Sequence, residues 1–249
     1  MSEGSRAATV LCVAGLMLSS ACTCEPPPRT EIPRASVPRA SAPPTIDGRL
    51  DDDAWASAAT TDRFVDTLSG AHAPPEVRAR LTYDDNALYV AFEVADELLR
   101  SDFEGHDAHL WEQDAVELMI DPDGDGRSYV ELQVSPTNLV FDTWFDTRRA
   151  PQPFGHVGWS SGLRSAVDAR GGTANDDEAD RGYVAEIAIP WSAFASIGTP
   201  AARPAPGDEW RVALYVLDAD TGGQRGVGWS PPLIGDFHVP DRFGRLVFE

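Results

Sequence analysis

Apolar residues recur at every second position in a series of short runs along this chain. From Ala115 to Ile120, Val116, Leu118 and Ile120 alternate with Ala115, Glu117 and Met119; from Tyr129 to Ser135, Val130, Leu132 and Val134 alternate with Tyr129, Glu131, Gln133 and Ser135. A period of two sets one group against a core and the other on the opposite face, so both runs read as strands with Glu117 and Gln133 turned away from the core. If the two strands pair, Glu117 and Gln133 share a face. Comparable runs span Glu76 to Tyr83, Ala87 to Val94, Leu139 to Phe145, Leu163 to Ala169, Tyr183 to Ile189, Glu209 to Leu217 and Gly244 to Phe248. Helical spacing is nearly absent, apart from single turns at Ala54 to Ala58 and Trp191 to Ala195. The pattern predicts about nine to eleven strands with short links, an all-β fold of two antiparallel sheets packed as a sandwich.

The tryptophans divide by context. Trp55, Trp191 and Trp210 sit among apolar neighbours and are expected in the core, whereas Trp111 lies between His109 and Glu112 in a polar run and is expected on an exposed loop. Trp144 alternates with Asp142 and Asp146, which places it on a polar face, where it either extends a ligand platform or covers the sheet edge. Phe243 and Phe248 are expected to pack the last turn and strand against the sandwich.

The chain opens differently. A short polar start, an apolar run from Ala7 to Leu18 and the sequence Ser19-Ser20-Ala21-Cys22 read as a secretion signal over residues 1–21, too short for the about 20 apolar residues of a membrane span. Small residues directly before Cys22 resemble a lipoprotein signal, in which that cysteine is lipidated; the alternative is ordinary cleavage and release as a secreted or periplasmic protein. Thr23 after Cys22 is compatible with sorting to the outer membrane. Residues 22–44 are dense in Pro, Arg, Ser and Ala and read as a tether, which leaves residues 45–249 as one domain. The three cysteines, Cys12, Cys22 and Cys24, all fall before that domain, so it has no disulfide framework.

A formal charge of -20 argues against nucleic acid and against anionic polysaccharide as partners, and favours a neutral glycan or a cation. In the DPDGDG run, Asp121, Asp123 and Asp125 offer oxygens at alternate positions with Gly126 allowing a sharp turn, which suits a hard cation such as calcium; the same residues also make ordinary turns. No Glu follows at the EF-hand distance. Glu117 with Glu131 or Asp114 would supply two carboxyls for glycoside cleavage, yet with 40 acids in the chain such pairs arise readily, and neither a Gly-x-Ser-x-Gly elbow nor a His-Glu-x-x-His motif is present. The expected protein is not an enzyme.

Six segments in order, IDGRLDDDAW (Ile46 to Trp55), LTYDDNALYVAFEVAD (Leu81 to Asp96), WEQDAVELMIDP (Trp111 to Pro122), YVAEIAIPW (Tyr183 to Trp191), GWSPP (Gly228 to Pro232) and FHVPDRFGRLVF (Phe237 to Phe248), resemble the family 9 carbohydrate-binding modules. The resemblance implies a β-sandwich, a structural calcium ion, and a terminal sugar held between two aromatic rings at Trp111 and Phe237. It implies hydrogen bonds to the sugar from Glu117 and from the position of Gln133, where sugar-binding members carry Arg. An aromatic face stacks on the C–H side of a pyranose while the hydroxyl edge stays free for polar side chains. The expected function is non-catalytic binding of a polysaccharide or oligosaccharide at the cell envelope, in support of separate glycoside hydrolases. The alternative is a structural or protein-interaction sandwich that has lost its sugar.

Overall fold

The alternating runs become strands. In this computed structural model, which describes residue 1 and residues 27–175, 179–199 and 203–249, the elements are β1 (Arg34–Val37), α1 (Asp53–Ser57), β2 (Ala59–Thr60), β3 (Val65–Asp66), β4 (Glu76–Tyr83), β5 (Ala87–Ala95), β6 (Ala115–Asp121), β7 (Arg127–Val134), β8 (Val140–Thr147), β9 (Arg164–Arg170), β10 (Gly182–Pro190), α2 (Trp191–Ser196), β11 (Glu209–Asp220), β12 (Gly223–Gly228) and β13 (Gly244–Phe248). One sheet runs β1-β13-β11-β6-β7-β8, with β12 and β3 joined beside β11; the other runs β2-β4-β5-β10-β9. All pairings are antiparallel except that of β1 with β13. The two-sheet sandwich expected from the alternation is the fold observed. Its two short helices lie within one residue of the predicted turns.

The core between the sheets is built from the inward sets. Val116, Leu118, Ile120, Val130, Leu132 and Val134 pack with Leu88, Val90, Phe92 and Ile187 of the opposite sheet, all fully buried. Burial of such side chains stabilises by roughly 1.5–3 kcal/mol each. Trp55, Trp191 and Trp210 are buried as expected, and so are Phe243 and Phe248.

Two expectations need correction. Residues 22–44 are not a tether throughout, because Arg34–Val37 forms β1 and runs parallel along β13, pairing Arg34 with Arg245 and Val37 with Phe248. Val37 is fully buried in the main core, and beyond it the Ala40 amide donates to the Tyr83 carbonyl. An edge strand exposes a row of unpaired N–H and C=O groups, and four residues suffice to cover the edge of β13 without a long apolar run. Prolines at 33 and 38 flank the strand, where no ladder hydrogen bond is lost. Second, Trp144 turns inward: it packs on the main core and stacks on His156 at 4.0 Å. Phe141, Thr143 and Phe145 take the other face of β8. The leader and Cys22 lie outside the described residues.

Both faces of the larger sheet are covered. Its outer side carries a smaller cluster of Met119, Tyr129, Phe145, Ala213, Tyr215 and Phe243, roofed by loops, so every residue of β6 is buried. Among the described residues no helix is long and apolar enough to cross a membrane.

Candidate functional site

Registers across four strands set a row on this outer face: Tyr215 of β11 opposes Glu117 of β6, Glu117 opposes Gln133 of β7, and Gln133 opposes Phe141 of β8. The row is polar in the middle and aromatic at both ends. Phe237 lies on Tyr215 with ring centroids 4.3 Å apart and planes 28° apart, and Trp111 stands edge-on to Phe141 at 5.1 Å. Between them opens a cleft of about 230 Å³ lined by Trp111, Glu117, Glu131, Phe154, Arg149 and Phe237 among others. Three of the four residues singled out in the sequence therefore meet at one concavity.

Trp111 is carried by a single 3-10 turn, Leu110–Glu112, whose Leu110 is buried and anchors it. His109 stacks on its ring at 4.4 Å and Phe154 leans against it at 5.0 Å, while its carbonyl accepts from the Gln224 side chain. Phe237 fits because Gly226 has no side chain: a β-carbon there would lie 2.8 Å from the Phe237 Cζ. Each ring thus has one face supported by protein, which fixes its orientation before any ligand arrives.

Gln133 has a different place from the one expected. It is fully buried, it does not line the cleft, and its amide nitrogen donates to Glu117 Oε2 and to Glu131 Oε1, both at 2.8 Å. With both N–H bonds committed, it holds the two carboxyls, and its Oε1 is buried without a partner among the described residues. Burial first, and the nearby Glu131 charge second, push the Glu117 carboxyl well above its ordinary value. Burial also raises Glu131, to about 7, against the opposing pull of Arg149.

A polar chain continues from Glu131. Its Oε2 lies 3.4 Å from His238 Nε2, and His238 Nδ1 lies 2.8 Å from the Tyr129 hydroxyl, which accepts from the Arg149 amide at 3.2 Å. Burial, then the charge of Arg149, lowers the imidazole to about 3, so it is neutral and offers one donor and one acceptor. Arg149, His238 and Phe154 were not singled out in the sequence. Arg149 lies in a turn and Phe154 in a loop without periodicity; only the placement of His238 next to Phe237 offered a signal.

The three carboxylates of the DPDGDG run do come together, within 4.8 Å of one another. Asp121 is buried and accepts from the Gly124 and Gly126 amides, each at 3.0 Å, so its oxygens already close the turn while keeping lone pairs free. A second group, Asp96, Asp114 and Asp218, is equally close and lies deeper. Burial raises Asp96 to about 6 and Asp114 to about 7, and Arg225, 3.5 Å from Asp218, is the cation paired with this group. Both triads present the hard oxygen donors that calcium takes. The second was invisible in sequence because its members come from three distant segments.

The family model described as "Carbohydrate family 9 binding domain-like" matches residues 46–249. The chain is 30% identical over 208 residues to the exoglucanase XynX of Acetivibrio thermocellus and 26% identical over 205 residues to the endo-1,4-beta-xylanase A of Thermotoga maritima, covering 82% of this chain each time but only 16% and 17% of those enzymes. Among solved structures, a Bacteroides uniformis protein superposes with a TM-score of 0.72 at 18% identity, over 88% of this chain and all of that one. A family 9 module of Caldicellulosiruptor kristjanssonii, solved with cellotriose, superposes with a TM-score of 0.59 at 21% identity, over 87% of this chain and 93% of that one. The chain thus spans only a small part of the length of these two enzymes. By the extent of the family match, this chain belongs to the carbohydrate family 9 binding domain-like proteins.

Proposed function

We propose that this protein binds the end of a carbohydrate chain in the cleft between Trp111 and Phe237, without catalysis, and does so at the cell envelope in support of separate glycoside hydrolases. The observation that carries the reading is the cleft itself, two protein-backed aromatic rings above a buried carboxyl. Apolar walls with a few convergent polar groups are the make-up of a small-ligand site. The related module from Caldicellulosiruptor kristjanssonii was solved with cellotriose and with glucose, which supports a glucan-type ligand. Catalysis is disfavoured because the amide of Gln133 fills the space between Glu117 and Glu131, where two catalytic carboxyls would have to flank a scissile bond. Lipidation at Cys22 and an outer-membrane location belong to the same proposal, supported by the leader sequence; radiolabelled palmitate incorporation lost in Cys22→Ala tests them.

A structural calcium ion completes the reading. Asp121, Asp123 and Asp125 would hold it in the turn, and Asp96, Asp114 and Asp218 would hold it at the sheet, with the second group favoured because its charges are buried. There the ion would neutralise carboxylates and tie three segments together.

The test is a glycan array with the wild-type protein and Trp111→Ala, in calcium and in chelator. Binding to glycans that Trp111→Ala loses while staying folded supports the reading. Silence from folded wild-type protein would overturn it in favour of a protein-interaction sandwich, for which the exposed Leu68 and Ile234 would supply the apolar surface.

A further inference from the structure

The donors and acceptors at the floor of the cleft are unequal. Both N–H bonds of Gln133 are spent on Glu117 and Glu131, the His238 ring is spent between Tyr129 and Glu131, and the Gln224 amide nitrogen donates to the Trp111 and Gln113 carbonyls. Arg149 is turned onto Asp236, at 2.9 Å from Nε and 2.8 Å from a terminal nitrogen. Among the described residues three buried polar atoms of this row have no partner, Glu117 Oε1, Gln133 Oε1 and the Tyr215 hydroxyl, and of these three residues only Glu117 lines the cleft. Glu117 lines the cleft, so the open polar group at the floor is a carboxylate acceptor that water hardly reaches. The whole chain carries -20, and the two positive charges beside the cleft, Arg148 and Arg149, are paired with Asp236.

From this imbalance we infer that the cleft selects a sugar carrying a free ammonium group, a hexosamine unit, over its neutral and anionic counterparts, with Glu117 Oε1 receiving the ammonium. The inference rests on the carbohydrate-binding reading above and names the ligand class within it. A buried carboxylate oxygen without a donor is costly, and the N–H of a cation returns both a charge-assisted hydrogen bond and a neutralising charge. A hydroxyl can also donate there, but brings no charge. An N-acetyl group removes the charge and adds bulk, and a uronic acid sets like charges together. The negative field of the chain also raises the encounter rate of a polycation such as a deacetylated amino-glycan.

The groups facing Glu117 set what its proton does. They are Glu131 from β7, Tyr215 from β11, Arg149 from the turn after β8, and Asp236 and His238 from the segment before β13. Burial and mutual repulsion let the glutamate pair keep a proton near neutral pH. An arriving ammonium takes over the role of that proton, which leaves to the solvent, so binding of the amino sugar releases protons whereas binding of glucose does not.

The test is calorimetric titration of the folded protein with D-glucosamine, D-glucose, N-acetyl-D-glucosamine and D-glucuronate at pH 7, in two buffers of different ionisation enthalpy. The expected order places glucosamine about fivefold to tenfold tighter than glucose. Glucuronate is expected weakest, the glucosamine advantage shrinks with salt, and its heat alone depends on the buffer. Glu117→Gln, or Glu131→Gln should the first not fold, brings the glucosamine-to-glucose affinity ratio down toward one. Glucose bound as tightly as glucosamine or tighter, with no buffer dependence, overturns this inference and leaves the carbohydrate-binding reading standing. Failure of all four sugars to bind overturns both.

Discussion

Arg149 grips Asp236 through two of its nitrogens, on the single oxygen Oδ1, while Arg148 takes Oδ2 at 2.7 Å. The same Oδ1 accepts the His238 amide at 3.1 Å. Burial alone would raise the Asp236 carboxyl, but the hydrogen bonds from Arg149 and Arg148 outweigh it and hold the group at about 2. The turn after β8 is thereby fastened to the segment that carries Phe237. Asp236→Ala is expected to free that segment and weaken sugar binding about tenfold, chiefly through faster dissociation, with a small change in melting temperature because the two arginines are about half exposed. Surface plasmon resonance on the variant separates the two rates; an unchanged dissociation rate would show that the clasp does not position Phe237.

Gly226 is expected to be as sensitive for a steric reason. The β-carbon of Gly226→Ala would meet Phe237 Cζ at 2.8 Å and Thr67 Oγ1 at 3.2 Å, so the ring must shift from its seat on Tyr215. Affinity for the sugar falls while the fold persists. Near-ultraviolet circular dichroism and titration together check this, and wild-type affinity in the variant would mean that Phe237 has room to spare or no part in binding.

The Glu117 and Glu131 pair gives stability a defined pH slope. Glu131 rises in the folded protein from 4.5 to about 7, so its contribution is fully present below its unfolded value and is lost as pH rises through about 7. Glu131→Gln removes that loss. The melting temperature of wild type minus that of Glu131→Gln is therefore expected to fall steadily from pH 4.5 to pH 8. A difference that stays flat across this window would show that the carboxyl titrates normally.

β1 separates a tether from a structural strand. Val37 is fully buried, and Val37→Ala deletes two methyl groups from the core, at a cost of about 2 kcal/mol. For a protein of this size that is roughly 4–8 °C in melting temperature. A free tether would tolerate the change without effect, and scanning calorimetry distinguishes the two.

Calcium, if held by Asp96, Asp114 and Asp218, raises the melting temperature of the wild type, and Asp114→Asn abolishes the rise. If Asp123→Asn abolishes it instead, the ion sits in the turn after β6. Differential scanning fluorimetry with and without chelator gives the answer.

The sequence by itself determined the sandwich, most of its strands and the shared face of Glu117 and Gln133, because a period of two is a local property that survives whatever packs on it. The family motifs carried Trp111 and Phe237 as a pair. Other parts were settled only by the tertiary structure. β12, Gly223–Gly228, has no alternation of its own and is a strand because β11 offers it a ladder, and β1 is a strand because the edge of β13 does. On β8, Phe141 and Phe145 face the cleft and Trp144 the core, an assignment that alternation cannot make once both faces of a sheet are covered. Arg149 and His238 took their roles from partners far along the chain, and Gln133 from its own strand and the one beside it: a hydrogen bond goes to the nearest competent atom in space, and the folded chain fixes which atom that is.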